Sequence, residues 1–210
     1  MIPRKTCVIM NLMFKRICKI TFIAHGATVY TLDGIINDTL KYPKLNDFGE
    51  EEIEKVCEYL EARGVAYDNI YTSPNACCTQ SAQIIAELFK QKPITIDLTQ
   101  RNHGVWHGSY YADLFKEHGT SVLTQTPENG ESLSDFNTRV SKIINKLVRK
   151  NKGNRIIVVT TPEVIQSALK KTLKLSPTNQ HNILIKTGSL TQISYFDGWS
   201  SVIYSDYSPL

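Results

Sequence analysis

The sequence predicts an α/β fold, a three-layer sandwich in which a mainly parallel sheet carries helices on both faces. Strand-like runs of β-branched and aromatic residues alternate along the chain with longer amphipathic runs of helical period. Such alternation is typical of parallel strands joined by crossover helices. The length of 210 residues also suits a single domain.

The first half of the chain contains three strand signals and two helix signals. The run CKITFIAHG is apolar and β-branched, and it stops at Gly26. In DFGEEEIEKVCEYLEARG, acidic residues crowd the first turn, apolar residues recur at helical spacing, and Gly64 closes the helix. We predict that YDNIYTSP is a short strand, NACCTQSAQIIAELFKQ a helix and PITIDLT another short strand.

The second half begins with residues 100–130, which are rich in Gly, His and aromatics and which we predict to be an irregular insertion or lid. SLSDFNTRVSKIINKLVRKN is a long helix, with Ser132 or Ser134 as its candidate N-cap. NRIIVVTT is the most strand-like run, and the helix PEVIQSALKKTL has Pro162 near its first turn. Two more predicted strands, GSLTQISYFDG and WSSVIYS, finish the chain.

Composition favours an intracellular globular protein, cytoplasmic or nuclear. A net charge of +4 is too small to indicate nucleic-acid binding by itself. The five cysteines are few, odd in number and without a CxxC pattern, which favours a reducing compartment. Because no Cys/His group has zinc-ligand spacing, we predict no metal, and we predict no cofactor. No apolar run approaches the roughly 20 residues of a membrane span.

We predict a basic N-terminal extension, residues 1–18, and a single domain, residues 19–210. The first 19 residues contain five lysines or arginines and no acid. We favour an extension that packs on the domain or on a partner. A mitochondrial presequence is the alternative, although the segment is short and lacks serine.

Polar residues follow the predicted strands at the points where the strands end. They include His25, Ser73, Gln100 and Thr161. In open α/β sheets, sites lie beyond the carboxyl ends of the strands. We therefore expect His25 at the end of a central parallel strand, with the strand that starts near Arg155 beside it, so that Thr161 reaches the same edge.

Five segments, in order, resemble the histidine phosphatase superfamily, whose fold is phosphoglycerate mutase-like. They are FIAHGAT, LNDFGEEEI, YTSPNACCTQSAQIIAE, LTQRNHGVWHG and NGESLSDFNTRV. The resemblance runs from about Lys19 to about Thr191, and it implies phosphoryl transfer to a neutral histidine followed by release to water. That chemistry needs arginines and a second histidine around the phosphoryl oxygens, and a carboxylic acid that protonates the leaving oxygen.

In the first two motifs, the resemblance keeps the nucleophile position and loses both arginines. The family's Arg-His-Gly is Ala24, His25 and Gly26 here. In its Ser-Pro-x-x-Arg motif, Cys77 stands at the arginine. Neither alanine nor cysteine can supply a guanidinium group.

The acid and the second histidine are also replaced. Gln100 stands at the acid position, and Arg101 follows it as in the mutase subgroup, where that arginine contacts phosphate. Thr161 stands at the second histidine. Glutamine cannot donate an acidic proton at neutral pH, and each lost donor at such a site typically costs about 2.7–4 kcal/mol. The resemblance therefore implies that His25 is a vestigial nucleophile.

We predict a pseudophosphatase that serves as a structural or adaptor subunit of a protein complex. A residual phosphate pocket of Ala24, Gly26, Cys77 and Arg101 would bind phosphate only at about millimolar levels. Contacts to a protein partner are expected through the basic extension, the aromatic-rich insertion and the C-terminal YSDYSPL.

The alternative is an active phosphomonoester phosphatase or phosphotransferase that uses His25 in a rearranged pocket. In that hypothesis Arg101 contacts phosphate, and His103 or His107 replaces the missing second histidine.

Overall fold

The computed structural model describes residues 16–38 and 43–209. Six strands in these ranges form one sheet in the order β3-β2-β4-β1-β5-β6. The strands are β1 (Arg16–Ala24), β2 (Asn69–Thr72), β3 (Ile94–Thr95), β4 (Arg155–Thr160), β5 (Leu190–Phe196) and β6 (Ser200–Tyr207).

Six α-helices connect the strands. They are α1 (Val29–Asp33), α2 (Asp47–Arg63), α3 (Ala76–Phe89), α4 (Tyr111–His118), α5 (Leu133–Lys150) and α6 (Pro162–Leu173). Short 3₁₀ segments occupy Gly104–Trp106, Gly119–Leu123 and Pro177–Asn182. None of the helices in the described ranges is both long and apolar enough to cross a membrane.

The predicted three-layer α/β fold is confirmed. Helices α5 and α6 pack one face of the sheet, where Phe136 and Ile165 join a core with Phe22. Helices α2 and α3 cover the other face, where Ile53 and Ile85 are fully buried.

The sheet is mixed rather than parallel throughout. Strands β3, β2, β4 and β1 are mutually parallel, while β5 runs antiparallel to β1 and β6 antiparallel to β5. The β1–β4 pairing sets Lys19 beside Arg155 and Ala24 beside Thr160. Both strands therefore end at the same edge, and the residues that follow them enter the same site.

The insertion 100–130 is more regular than expected, since it contains α4 and two of the 3₁₀ segments. Its apolar residues Trp106, Leu114 and Val122 form a small separate core with Ile36, which lies outside the insertion. Ser132, not Ser134, is the N-cap of α5, because its Oγ accepts a hydrogen bond from Asp135 N at 3.0 Å.

The structure also bears on the predicted extension. Strand β1 begins at Arg16, so the last three residues of the predicted segment 1–18 belong to the sheet. Residues 1–15 lie outside the described residues.

Candidate active site

His25 is the first residue after β1, and it lies at the edge where β1 and β4 end. Its backbone N–H donates to Thr160 O at 3.0 Å, which continues the β1–β4 pairing into the site. Thr161 follows β4 and precedes Pro162, the first residue of α6. His25, Thr161 and Gln100 all line one cavity of about 430 Å³.

The loop after β1 holds the His25 ring in one orientation. His25 Nδ1 lies 2.8 Å from Gly26 O. A carbonyl oxygen only accepts, so Nδ1 carries the proton and Nε2 is the nitrogen left for chemistry. The residue is 5% exposed, so water competes little for the ring.

Two glycines bring this loop onto helix α2. A Cβ built on Gly26 would lie 2.1 Å from Gly49 O, and one built on Gly49 would lie 2.1 Å from Ala27 O. The two backbones are therefore closer than any side chain permits. The resulting contact fixes the loop that carries His25 against the first turn of α2.

A serine joins the same loop to helix α3. Gly26 N donates to Ser81 Oγ at 3.2 Å, and Ser81 Oγ donates to Cys77 O at 2.8 Å. This relay places the His25 ring beside the first turn of α3. A ring nitrogen of His25 and the Sγ atoms of Cys77 and Cys78 all lie within 4.8 Å of one another.

The three groups set each other's protonation. The Cys78 thiol donates a hydrogen bond to Cys77, burial opposes ionisation, and the His25 ring favours it; the pKa of Cys77 lies well below its usual range. Burial and the neighbouring Cys77 raise the pKa of Cys78. Burial lowers the pKa of His25, but Cys77, the Gly26 carbonyl and Glu52 together outweigh burial, so the His25 pKa is raised. The contacts between Cys77 and His25 therefore favour an ionised Cys77 and a protonated His25.

Arg101 points away from His25. It is 2% exposed and lines a neighbouring cavity of about 390 Å³, not the one that His25 lines. Its Nε donates to Glu131 O at 2.9 Å and its Nη2 to Gln125 O at 2.6 Å. The Glu131 carboxylate instead pairs with Arg139, at 2.8 Å from Nη2.

The other residues that the sequence analysis singled out are Ala24 and the two candidate replacement histidines, His103 and His107. Ala24 is fully buried at the end of β1, in the core under α5 and α6. Of the two candidate replacement histidines, His103 lines the cavity. His107 is not among the lining residues, and its Nδ1 lies 2.7 Å from Asp38 Oδ1.

Sequence reasoning missed Glu163, which lies in the first turn of α6 and lines both cavities. His103 Nε2 is 3.3 Å from Glu163 Oε1. Burial raises the pKa of Glu163, but His103, Arg101 and His181 together outweigh burial, so the pKa lies below its usual range. An acidic residue at a helix start is so common that it carries no functional signal in the sequence alone.

Two buried polar atoms at the cavity have no hydrogen-bond partner among the described residues. They are Thr161 Oγ1 and His103 Nδ1. Buried polar groups are nearly always paired, so these two atoms are exceptions in the wall of the cavity.

The family is shown by comparison with known proteins. The model of the histidine phosphatase superfamily (branch 1) matches residues 20–205. Phosphoglycerate mutase-like protein 4 of Arabidopsis thaliana is 27% identical, over 91% of this chain and 86% of its own. A broad-specificity phosphatase of Saccharomyces cerevisiae is 24% identical, over 85% of this chain and 80% of its own.

A solved structure agrees with this at the level of fold. Phosphoserine phosphatase from Entamoeba histolytica, in complex with 3-phosphoglyceric acid, superposes with a TM-score of 0.79 at 20% identity, covering 91% of this chain and 98% of that one. With the family model spanning most of the chain and the histidine at the shared sheet edge, this protein belongs to the histidine phosphatase superfamily, branch 1.

Proposed function

We propose that this protein is a catalytically impaired histidine phosphatase that acts as a structural or adaptor subunit. The observation that carries the proposal is the charge of the cavity at His25. Among its described lining residues, Lys186 is the only lysine or arginine, and Glu163 contributes a carboxylate. Phosphoryl transfer needs several cationic donors around the phosphoryl oxygens. A carboxylate in the cavity repels those negatively charged oxygens.

The state of His25 supports the same proposal. A nucleophilic histidine needs a lone pair on Nε2 to attack phosphorus. Beside the Cys77 thiolate the pKa of His25 is raised, which favours the imidazolium without that lone pair. In an active enzyme, cationic arginines around the ring favour the neutral form instead.

The leaving group would also lack a proton donor. Gln100 lines the cavity at the acid position, and its amide has no acidic proton at neutral pH. Glu163 cannot replace it, because its lowered pKa keeps it ionised.

The test is a phosphatase assay with p-nitrophenyl phosphate and phosphoserine. We expect turnover no higher than that of a His25→Ala variant, and no phosphohistidine after incubation with substrate. Clear turnover that His25→Ala abolishes would overturn the proposal in favour of the alternative, an active phosphomonoester phosphatase.

A restored variant provides the positive control. Ala24→Arg, Cys77→Arg, Gln100→Glu and Thr161→His together return the side chains that the family uses. We expect a folded quadruple variant to gain activity of at least about 100-fold, since one such donor alone contributes about 10²–10³ in rate.

An adaptor role is favoured by apolar residues exposed beside the cavity. Helix α1 buries none of its residues. Its Val29 and Leu32 are 52% and 61% exposed, and Tyr110, which forms an isolated β-bridge with Ile35, is 50% exposed. Leu32 and Ile35 line the cavity. The three exposed residues, Val29, Leu32 and Tyr110, which we call the apolar rim, offer a partner protein an apolar contact next to the cavity.

A further inference from the structure

We propose that His25, Cys77 and Cys78 form a binding site for a thiolate-preferring metal ion, Zn²⁺. The three side chains are buried, and their ligand atoms lie within 4.8 Å of one another. Sequence spacing does not indicate this cluster, because the histidine follows β1 whereas the two cysteines lie in the first turn of α3. The site is independent of the proposed adaptor function.

The ligand set matches zinc chemistry. Two thiolates and one imidazole, with the fourth position left to solvent, are an established zinc-ligand combination. Ligand atoms around one tetrahedral zinc ion lie about 3.5–4 Å apart, given bonds of about 2.3 Å to sulfur and about 2.0 Å to nitrogen. Small side-chain rotations would bring the cluster from its present spacing to that range.

Charge balance favours a divalent ion here. Two thiolates and a neutral imidazole cancel a charge of +2, so the loaded site would be neutral, as a buried site requires. The guanidinium groups that resemblance to the family places at Ala24 and Cys77 would repel a cation. Their replacement removes that repulsion and supplies one of the ligands.

The surroundings already orient the ligands. The bond from His25 Nδ1 to Gly26 O is the kind of outer contact that fixes metal-binding imidazoles and leaves Nε2 to the ion. Cys77 and Cys78 lie in the first turn of α3, where unpaired backbone N–H groups favour thiolates. The hydrogen bonds of Ser81 Oγ to Gly26 N and Cys77 O connect the loop that carries His25 to helix α3, which carries the two cysteines.

Of the three proposed ligands, His25 lines the cavity of about 430 Å³, so we expect an ion to enter from that side. The cavity wall includes the Thr161 hydroxyl, which has no hydrogen-bond partner within the part of the chain that the structure describes. A water on the ion could reach this hydroxyl from the cavity. The chemistry of such a site would be that of a zinc-bound water rather than of a phosphohistidine.

The test is a Co²⁺ titration of the full chain after treatment with chelator, followed by displacement with Zn²⁺. We expect one Co²⁺ per chain, with the intense thiolate-to-cobalt charge-transfer band and the visible bands of a tetrahedral ion. Both should disappear as Zn²⁺ is added, and Zn²⁺ should raise the unfolding temperature.

Variants assign the ligands. Cys77→Ser and Cys78→Ala should each remove most of the charge-transfer band, and His25→Gln should weaken binding by at least about tenfold while keeping part of it. Cys57→Ser, in the second half of α2, is the matched control and should bind as the parent does. Circular dichroism checks that each variant is folded.

The proposal fails if the parent shows no thiolate band, or if the band survives in folded Cys77→Ser and Cys78→Ala variants. Neither result would depend on phosphatase activity. The metal site and the loss of catalysis can therefore fail separately.

Discussion

Glu163 places a carboxylate in the cavity, in the first turn of α6. His103 Nε2 lies 3.3 Å from this carboxylate. His103, Arg101 and His181 together lower the pKa of Glu163. This carboxylate is one of the features that support the proposed loss of phosphatase activity.

The lowered pKa of Glu163 should make folding stability depend on pH. Its pKa is lowered in the folded protein, so its contribution is complete above the usual carboxyl range, near pH 4.3, and is lost as the pH falls through the lowered value. We expect Glu163→Gln to be less stable than the parent at pH 7. The deficit should shrink between about pH 5 and pH 3.

Thermal unfolding at a series of pH values measures this difference. Glu117→Gln is the control, since the Glu117 side chain is 73% exposed. A deficit for Glu163→Gln that stays constant down to pH 3 would contradict a lowered pKa of Glu163 in the folded protein.

Among the elements, the loop after β1 is the most constrained, because it lies directly on the backbone of α2. We expect Gly26→Ala to cost about 3 kcal/mol of unfolding free energy, since the added Cβ meets a backbone oxygen that no side-chain rotation can move. Gly64→Ala is the matched control. Gly64 ends α2 with φ +57° but has open space around it, so only the strain of about 1 kcal/mol is expected.

Urea unfolding of the two variants gives the comparison. Equal losses for Gly26→Ala and Gly64→Ala would show that the close approach at Gly26 is not needed for stability.

The elements that sequence reasoning predicted are those with strong local signals. Helices α2 and α5 have helical apolar spacing and capped ends, and β4 is a β-branched run. Helix α1 was missed because it has five residues and buries none. The direction of β5 beside β1 was also not predictable, since strand direction is set by connections and packing rather than by composition.

For the site, the sequence indicated which residues lie at one edge but not what they touch. His25 and Thr161 could be placed together, because parallel strands end at one edge. The contact of His25 with Cys77 and Cys78 depends on the Gly26–Gly49 approach and on Ser81, which no local pattern encodes. The direction of the Arg101 side chain is likewise a tertiary property, because Arg101 donates hydrogen bonds to the backbone carbonyls of residues 125 and 131.

At the scale of the whole molecule, an adaptor must present a surface that its fold does not need. The apolar rim meets this condition, whereas the predicted C-terminal contact is partly used internally. Tyr207 packs on Tyr59 with ring centroids 4.9 Å apart, and Tyr204 packs against the core under α2 and α3.

We expect Val29→Asp with Leu32→Asp to release a partner that co-purifies at fixed ratio with the tagged parent expressed at its native level. Ile203→Asp is the matched control, since Ile203 on β6 is 52% exposed, as Val29 is. Native mass spectrometry measures both. A parent that is only a 23.8 kDa monomer contradicts the adaptor role, and a partner that the rim variant retains contradicts this contact.

The antiparallel placement of β5 beside β1 also has a consequence for biosynthesis. Ala24 N donates to Ser189 O at 3.0 Å and Gly188 N donates to His25 O at 3.1 Å, while Ile185, Lys186 and Thr187 form part of the cavity wall. The histidine leaves the ribosome well before the segment of the wall that encloses it, because that segment follows far along the chain. Until residues 185–187 are synthesised, this part of the wall is missing from the nascent chain. Any ion or partner that needs the closed pocket can bind only after those residues have been made.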